Sequence, residues 1–333
     1  MNSKGFWSAM APHINGFIGL KRSLGYKYKE QETCLRNFDQ FVLDQGYTGV
    51  GLTKEIADRW AENRHNATML TMYGKIGVVK QFAEYLRNQG VKTFIPQLPK
   101  YPASTFIPYI YSHQQIDEIF KACDSLRLKQ RNLDSCLLII PCLIRLLYGT
   151  GIRINEALTL QNKDVDPDAK CLTIRDSKNG KDRLVPISNS LTLVCLDYIK
   201  QRNKIPIVGL DLKTAPFLVS LNGRSCKSKA VYNWFRKILI IANIPFTGNR
   251  KGPRVHDIRH STACHSFVKL SDEGLDLYCS WPYLSTYLGH QSLEATEQYI
   301  RMTSQMFPEL LKYTDGLSVD ILPDIPSKIK NQQ

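Results

Sequence analysis

The sequence lacks a C-x-x-C pair, a long apolar run, a repeat and a low-complexity segment, and it is short of acids relative to bases. Its nine cysteines are scattered without metal-ligand spacing. That is the usage of buried free thiols in a reducing compartment, and it argues against a disulfide framework or a zinc site. A membrane-spanning helix needs about 18 or more consecutive apolar residues. The longest run here, CLLIIPCLIRLL over 136–147, is interrupted by Pro141 and Arg145. The N-terminal residues do not follow the basic–apolar–small order of a secretory signal, so a cytoplasmic protein with no membrane partner is expected. No carboxylate cluster with the look of a two-metal site stands out.

The chain has 44 Lys and Arg against 30 Asp and Glu over 333 residues, a net charge of +14. Such an excess favours a polyanionic partner, either nucleic acid or an anionic membrane surface. The hydrophobic fraction of 43% and charged fraction of 22% are those of an ordinary globular protein. The length allows two domains, each with its own core.

Residues 1–100 read as a small bundle of four helices with a net charge of +6. Gly25 closes the first. The second runs from about Lys29 to Gln45, with Leu35, Phe38, Phe41 and Val42 at helical spacing. Thr53 caps a third through Trp60. The fourth covers about Thr68 to Asn88 and carries Lys75 and Lys80, which either touch phosphate or simply face water. Residues 91–111 hold Pro96, Pro99, Pro102 and Pro108 without a helical period, so 101–111 is read as an extended linker. Ser112 with Gln115 is a capping-box start for a second domain over 112–310, and 311–333 is a tail.

In the second domain a buried helix is expected at about 131–148. Gly149 and Gly151 then break it and present Arg153, which either works with a ligand or pairs with Glu156. Residues 171–187, CLTIRDSKNGKDRLVPI, form a hairpin around Asn179-Gly180, the strongest two-residue turn signal, flanked by Lys178 and Lys181. Helices are expected at 189–202, 226–242 and from 256 to about 269. His256 and Arg259 are three apart and share one helix face. A guanidinium that forks onto two oxygens beside an imidazole that can move a proton suits a phosphate. A capping histidine and a surface ion pair would look the same. Further on, Gly289 ends an apolar run, His290 follows it, Ser292 can cap the next helix, and Tyr299 lies about two turns into that helix.

Taken together, Arg153 in GTGIRINEAL, Lys178 in DSKNGKDRLVPI, His256 with Arg259, His290 in L-G-H, and Tyr299 nine positions later resemble the tyrosine recombinases, the integrase family of DNA strand-exchange enzymes. The likeness covers roughly 110–305 in motif detail and 1–100 in general plan. The spacer SDEGLDLYCSWPYLSTYLGH departs from the usual form. Like FIGLKRSLGYKYKEQETCLRNFDQF near the N-terminus, it is similar to recombinases carried in sets by bacterial transposons, which would make companion recombinases partners.

The resemblance implies a mainly α fold with a small antiparallel β-sheet and a two-domain clamp on double-stranded DNA. It implies cleavage at specific recombination sites through a 3′-phosphotyrosyl intermediate, without cofactor, metal or ATP. Tyr299 would be the nucleophile, Arg153 and Arg259 the phosphate clamp, His290 a hydrogen-bond donor, His256 the base, Lys178 the general acid and Glu156 the support of Arg153. Lys75, Lys80 and Lys181 would contact DNA. The protein would be a monomer in free solution and a tetramer on DNA, associated with the nucleoid in a bacterium. A type IB topoisomerase and a non-catalytic DNA-binding protein are the alternatives. The tail, with Leu317, Val319, Ile321, Leu322 and Ile325, is either a frayed end or a segment that docks on a neighbouring protomer.

Overall fold

The computed structural model describes residues 5–63, 68–102, 108–128, 132–175, 182–246, 248, 252–275 and 277–289. The chain divides into two compact units, Met1–Phe106 and Ile107–Gln333. It is mainly helical, with one small antiparallel sheet of three strands among the described residues.

The first unit is built from α1 (Ala11–Ser23), α2 (Lys29–Asp44), α3 (Lys54–Glu62) and α4 (Met69–Asn88). The Thr53 and Thr68 hydroxyls accept the Ile56 and Thr71 backbone N–H groups and so start α3 and α4. Leu35, Phe38 and Val42 of α2 recur at helical spacing and meet Phe17, Trp60, Val79, Phe82 and Leu86 in a closed apolar core. The Phe38 ring stands edge-on to Trp60 with centroids 5.2 Å apart. Truncating Phe38 to alanine would cost about 3–5 kcal/mol by opening a cavity there. The chain before α1 is tied down by buried Asp39, which accepts the Trp7 and Ser8 backbone N–H groups and the Ser8 hydroxyl.

The second unit is organised around α6 (Ile140–Thr150), which is apolar nearly all round and so is covered on several sides. It packs against α5 (His113–Ser125), α8 (Asn189–Arg202) and α10 (Val255–Asp272). The Ser112–Gln115 capping box starts α5. Sequence reading expected the α6 helix to begin near 131 and to end before Gly149. Instead, Asn132 and Ser135 accept the backbone N–H groups of Asp134 and Leu137, a local alternative to helix bonding. After a short 3-10 turn at Leu137–Ile139, α6 begins with Pro141 in its first turn, where a missing N–H does no harm. Gly149 lies inside the helix, and Gly151 alone ends it, at φ +61.

A short helix α7 (Ile154–Leu158) follows, then β1 (Val165–Asp166), β2 (Cys171–Ile174) and β3 (Arg183–Pro186). In the β2–β3 pair Leu172 stands opposite Val185 and Ile174 opposite Arg183. Opposed residues share a face, so Arg183 points inward with Ile174, while Leu184 points to solvent. α9 (Ser228–Ile241) packs on α5 and α7, and α11 (Leu277–Leu288) packs on α10 through Phe267, Leu284 and Leu288. α11 begins before the apolar run at Trp281 and carries Pro282 within it. Among the described residues no helix is long and apolar enough to cross a membrane.

Candidate active site

Two helix ends meet under α10. A helix C-terminus leaves carbonyls without intrahelical donors and carries partial negative charge. At the end of α6 these carbonyls go to neighbouring side chains. Thr262 donates to Tyr148 O at 2.8 Å, Tyr287 to Gly149 O at 3.4 Å, and Arg259 Nη1 to Gly151 O at 2.5 Å. The other nitrogen, Arg259 Nη2, donates to Leu288 O at 2.7 Å, at the end of α11. Arg259 is 2% exposed. It is a strut between two helix ends, and its position is fixed by their carbonyls.

Both ends close on glycine for geometric reasons. Gly151 and Gly289 have φ of +61 and +69, the left-handed region that side-chain-bearing residues avoid. A Cβ on Gly151 would also come within 2.8 Å of Leu288 Cδ2, so the two ends could not pack as they do.

Arg153 is the N-cap of α7. Its backbone N–H donates to Glu156 Oε2 at 2.9 Å and its Nη1 to Glu156 Oε1 at 3.0 Å. Its Nη2 reaches Gly289 O at 3.4 Å. Arg153 and Arg259 therefore bond consecutive carbonyls, those of residues 289 and 288, from elements about a hundred residues apart in sequence. The Glu156 carboxylate has a further pair of donors. Arg183 Nη1 and Nη2 approach Oε1 and Oε2 at 3.2 and 2.8 Å. Burial pushes the Glu156 carboxyl up, but the Arg183 hydrogen bonds, the Arg153 backbone N–H and the two positive charges outweigh it. The net shift is below the usual carboxylate value.

His256, three residues before Arg259, is partly accessible to solvent and stands edge-on to His260, with centroids 4.9 Å apart. The protein packed about the ring, and then the Arg259 charge, lower its pKa to about 4. It is neutral at pH 7 and able to accept a proton. At the start of α10, Arg254 N–H and Nη2 donate to Asp257 at 2.8 and 2.9 Å.

The charge balance follows from these groups. Four guanidinia (Arg153, Arg183, Arg254, Arg259) face two carboxylates (Glu156, Asp257), with His256 neutral. Among the described residues the cluster carries two net positive charges.

The structure thus brings Arg153, Glu156, His256 and Arg259 together. Lys178, Lys181, His290 and Tyr299, with the Ser292 cap and the tail, lie outside the described residues. Of the two first-unit lysines, Lys75 Nζ stands over the Trp60 ring at 5.8 Å and Lys80 Nζ is 4.0 Å from Glu84. Sequence reading missed Arg183. The signal was strand alternation: with Val185 and Ile187 inward, position 183 must also be inward, and a buried arginine needs a carboxylate.

Comparison with known proteins gives this cluster a context. The family model described as the phage integrase family matches residues 110–306. The y4rB protein of Sinorhizobium fredii, described as an integrase/recombinase, is 30% identical over 303 residues, covering 90% of this chain and 95% of that one. The tyrosine recombinase XerA of Pyrococcus furiosus is 26% identical over 245 residues, covering 73% and 70%. Among solved structures, the lambda integrase tetramer bound to a Holliday junction superposes with a TM-score of 0.60 at 15% identity, over 86% of this chain and 76% of that one. This last is a likeness of fold.

Proposed function

The chain belongs to the phage integrase family and is a tyrosine-type DNA recombinase, and from that premise we propose that Arg153, Lys178, His256, Arg259, His290 and Tyr299 carry its strand transfer. The observation that carries the assignment is the placement of the Arg153 and Arg259 guanidinia on consecutive carbonyls, in a cluster where arginines outnumber carboxylates among the described residues. A DNA phosphodiester bears one negative charge, and a second develops in the five-coordinate transition state. Preorganised guanidinia meet that charge without having to reorient.

In the proposed step Tyr299 Oη bonds to the scissile phosphorus and the P–O5′ bond breaks. The phenol proton passes to neutral His256. Lys178 donates a proton to the departing 5′ oxygen, and His290 adds a hydrogen bond to a non-bridging oxygen. The products are a 3′-phosphotyrosyl link and a free 5′-hydroxyl. One phosphate ester replaces another, so rejoining needs no nucleotide. Glu156 aligns Arg153.

Residues 1–100 act as a DNA-binding domain, 101–111 as a linker, 112–310 as the catalytic domain and 311–333 as a tail. Both parts are basic, +6 over 1–100 and +8 over the rest, and Lys75, Lys80 and Lys181 contribute phosphate contacts. The free protein is a monomer that assembles as a tetramer on two duplexes carrying specific sites, for movement of a mobile element. The lambda integrase tetramer on a Holliday junction supports that reading.

A nicked suicide substrate tests the core of the proposal. Tyr299→Phe will bind the DNA and form no covalent adduct, as read on a denaturing gel. A normal adduct yield from that variant removes Tyr299 from the role.

A further inference from the structure

Arg183 occupies a position that the proposed chemistry does not by itself explain. It is the first residue of β3, at the turn end of the hairpin and five residues after Lys178. Its side chain is 13% exposed and forks onto both oxygens of Glu156. The same carboxylate holds the backbone and guanidinium of Arg153. On its other side Arg183 lies against the chain at Gly289. A Cβ there would come within 2.9 Å of Cζ and 3.0 Å of Nε. Arg183 therefore touches three elements at once: the hairpin, the Arg153 turn through Glu156, and the residue before His290.

The hairpin has a second anchor. Arg175, the residue after β2, donates from Nε to Asp164 at 2.6 Å and lies 3.7 Å from Asp182. Asp164 is buried, but Arg175 itself is half exposed, and its contact with Asp182 is that of a surface ion pair. The Arg183–Glu156 fork is buried, bidentate and charge-assisted, so it is the stiffer of the two. Register makes the same point. Among the described residues, Ile174 and Arg183 form the strand pair nearest the turn.

We propose that Arg183 is a positioning residue for strand transfer: by clamping the start of β3 to Glu156, it sets Lys178 against the oxygen that leaves the phosphate held by Arg153. The inference rests on the reading of the site as a recombinase centre with its acid on the hairpin. A proton donor misplaced by an ångström loses about 10²-fold in rate. Loss of Arg183 therefore acts first on the proton-donating half of the reaction, while Arg259 keeps its place on the carbonyls of Gly151 and Leu288.

The experiment compares two DNA substrates. One has an ordinary scissile phosphate. The other has sulfur in place of the 5′ bridging oxygen, and that sulfur leaves without a proton. Arg183→Ala will bind a single site with near-normal affinity and cleave the ordinary substrate about 10–100-fold more slowly. On the sulfur substrate most of the rate will return, as it will for Lys178→Ala. Arg183→Lys keeps the charge and loses the fork. It will show a smaller loss with the same selective recovery, and it serves if the alanine variant does not fold. A merely structural role would lower both rates alike.

Equal slowing on the two substrates, or no slowing on either, overturns the positioning role. Recovery for Lys178→Ala without recovery for Arg183→Ala overturns it too, while leaving Lys178 as the acid. The converse, recovery for Arg183→Ala alone, supports the hairpin clamp and moves the acid from Lys178 to Lys181.

Discussion

Helices α7 and α10 begin with the same four-residue device, RINE over 153–156 and RVHD over 254–257. In each, an arginine at the N-cap donates its backbone N–H to the carboxylate three residues on, at 2.9 and 2.8 Å. In each, its guanidinium bonds that carboxylate as well, at 3.0 and 2.9 Å. The device satisfies an orphan donor and places negative charge at the positive end of the helix. What lies across from the two carboxylates differs. Asp257 is buried under Tyr111, whose hydroxyl donates to Arg254 O at 3.1 Å. Glu156 faces the hairpin, and Arg183 divides its charge with Arg153. One carboxylate neutralises one arginine. The other serves two, which leaves net positive charge beside the carbonyls of residues 288 and 289. Two identical local motifs thus acquire different chemistry from residues distant in sequence.

The strongest way to break this comparison is to remove each arginine in turn. Arg153→Ala will slow single-turnover cleavage of a nicked suicide substrate by about 10²–10³-fold, the loss typical of one donor to a developing charge. Arg254→Ala will slow it less than about 10-fold and act mainly by lowering the unfolding midpoint. Comparable rate losses would mean that both helix starts belong to the reacting site.

The second position inside each device sharpens the contrast: it is Asn155 in one and His256 in the other. His256→Asn makes the second start read like the first. It will leave the helix start and DNA affinity intact and reduce cleavage by about 10²-fold, within the range for a general base. The pH profile provides a separate check. With the His256 pKa lowered to about 4 by the surrounding protein and by Arg259, kcat/KM will stay level down to about pH 5 and fall only as pH nears 4. A midpoint at the ordinary histidine value of about 6.5 would show that His256 is not the group being titrated.

Much of the architecture was legible because its signals are local. Thr53, Thr68 and Ser112 mark helix starts by side-chain capping. The two strands of the expected hairpin pair with Ile174 opposite Arg183, while its Asn179-Gly180 turn lies outside the described residues. Expectations failed where local chemistry offered two outcomes. CLLIIPCLIRLL is apolar but for Arg145, so its periodicity does not date the start of α6; the bonds to Asn132 and Ser135 do. The recombinase resemblance pointed to Arg153, His256 and Arg259, but not to the sharing of Glu156. Arg183 is 27 residues from that carboxylate, and an arginine after a lysine-bearing turn looks solvated until the strand register turns it inward. Long-range pairing of this kind is set by packing, which single-residue spacing does not carry.

The smallest effect concerns the stability that the shared carboxylate supplies. Glu156 is buried with four donated hydrogen bonds from two arginines, so Glu156→Gln leaves charged donors poorly matched and will cost about 1–3 kcal/mol near neutral pH. The folded protein holds this carboxyl below its ordinary value of 4.5, because the arginine hydrogen bonds and charges outweigh burial. A depressed acid contributes stability that is fully present above the unfolded-state value and is lost as pH falls through the folded one. The difference in unfolding midpoint between wild type and Glu156→Gln will therefore be constant from pH 7 to about 5 and shrink below about 4.5. Thermal unfolding followed by circular dichroism from pH 7 to 3 measures it. A gap that keeps its full size at pH 3 would show that the fork around Glu156 stabilises by packing alone. The distinction between the shared carboxylate and the private one would then lose its electrostatic basis.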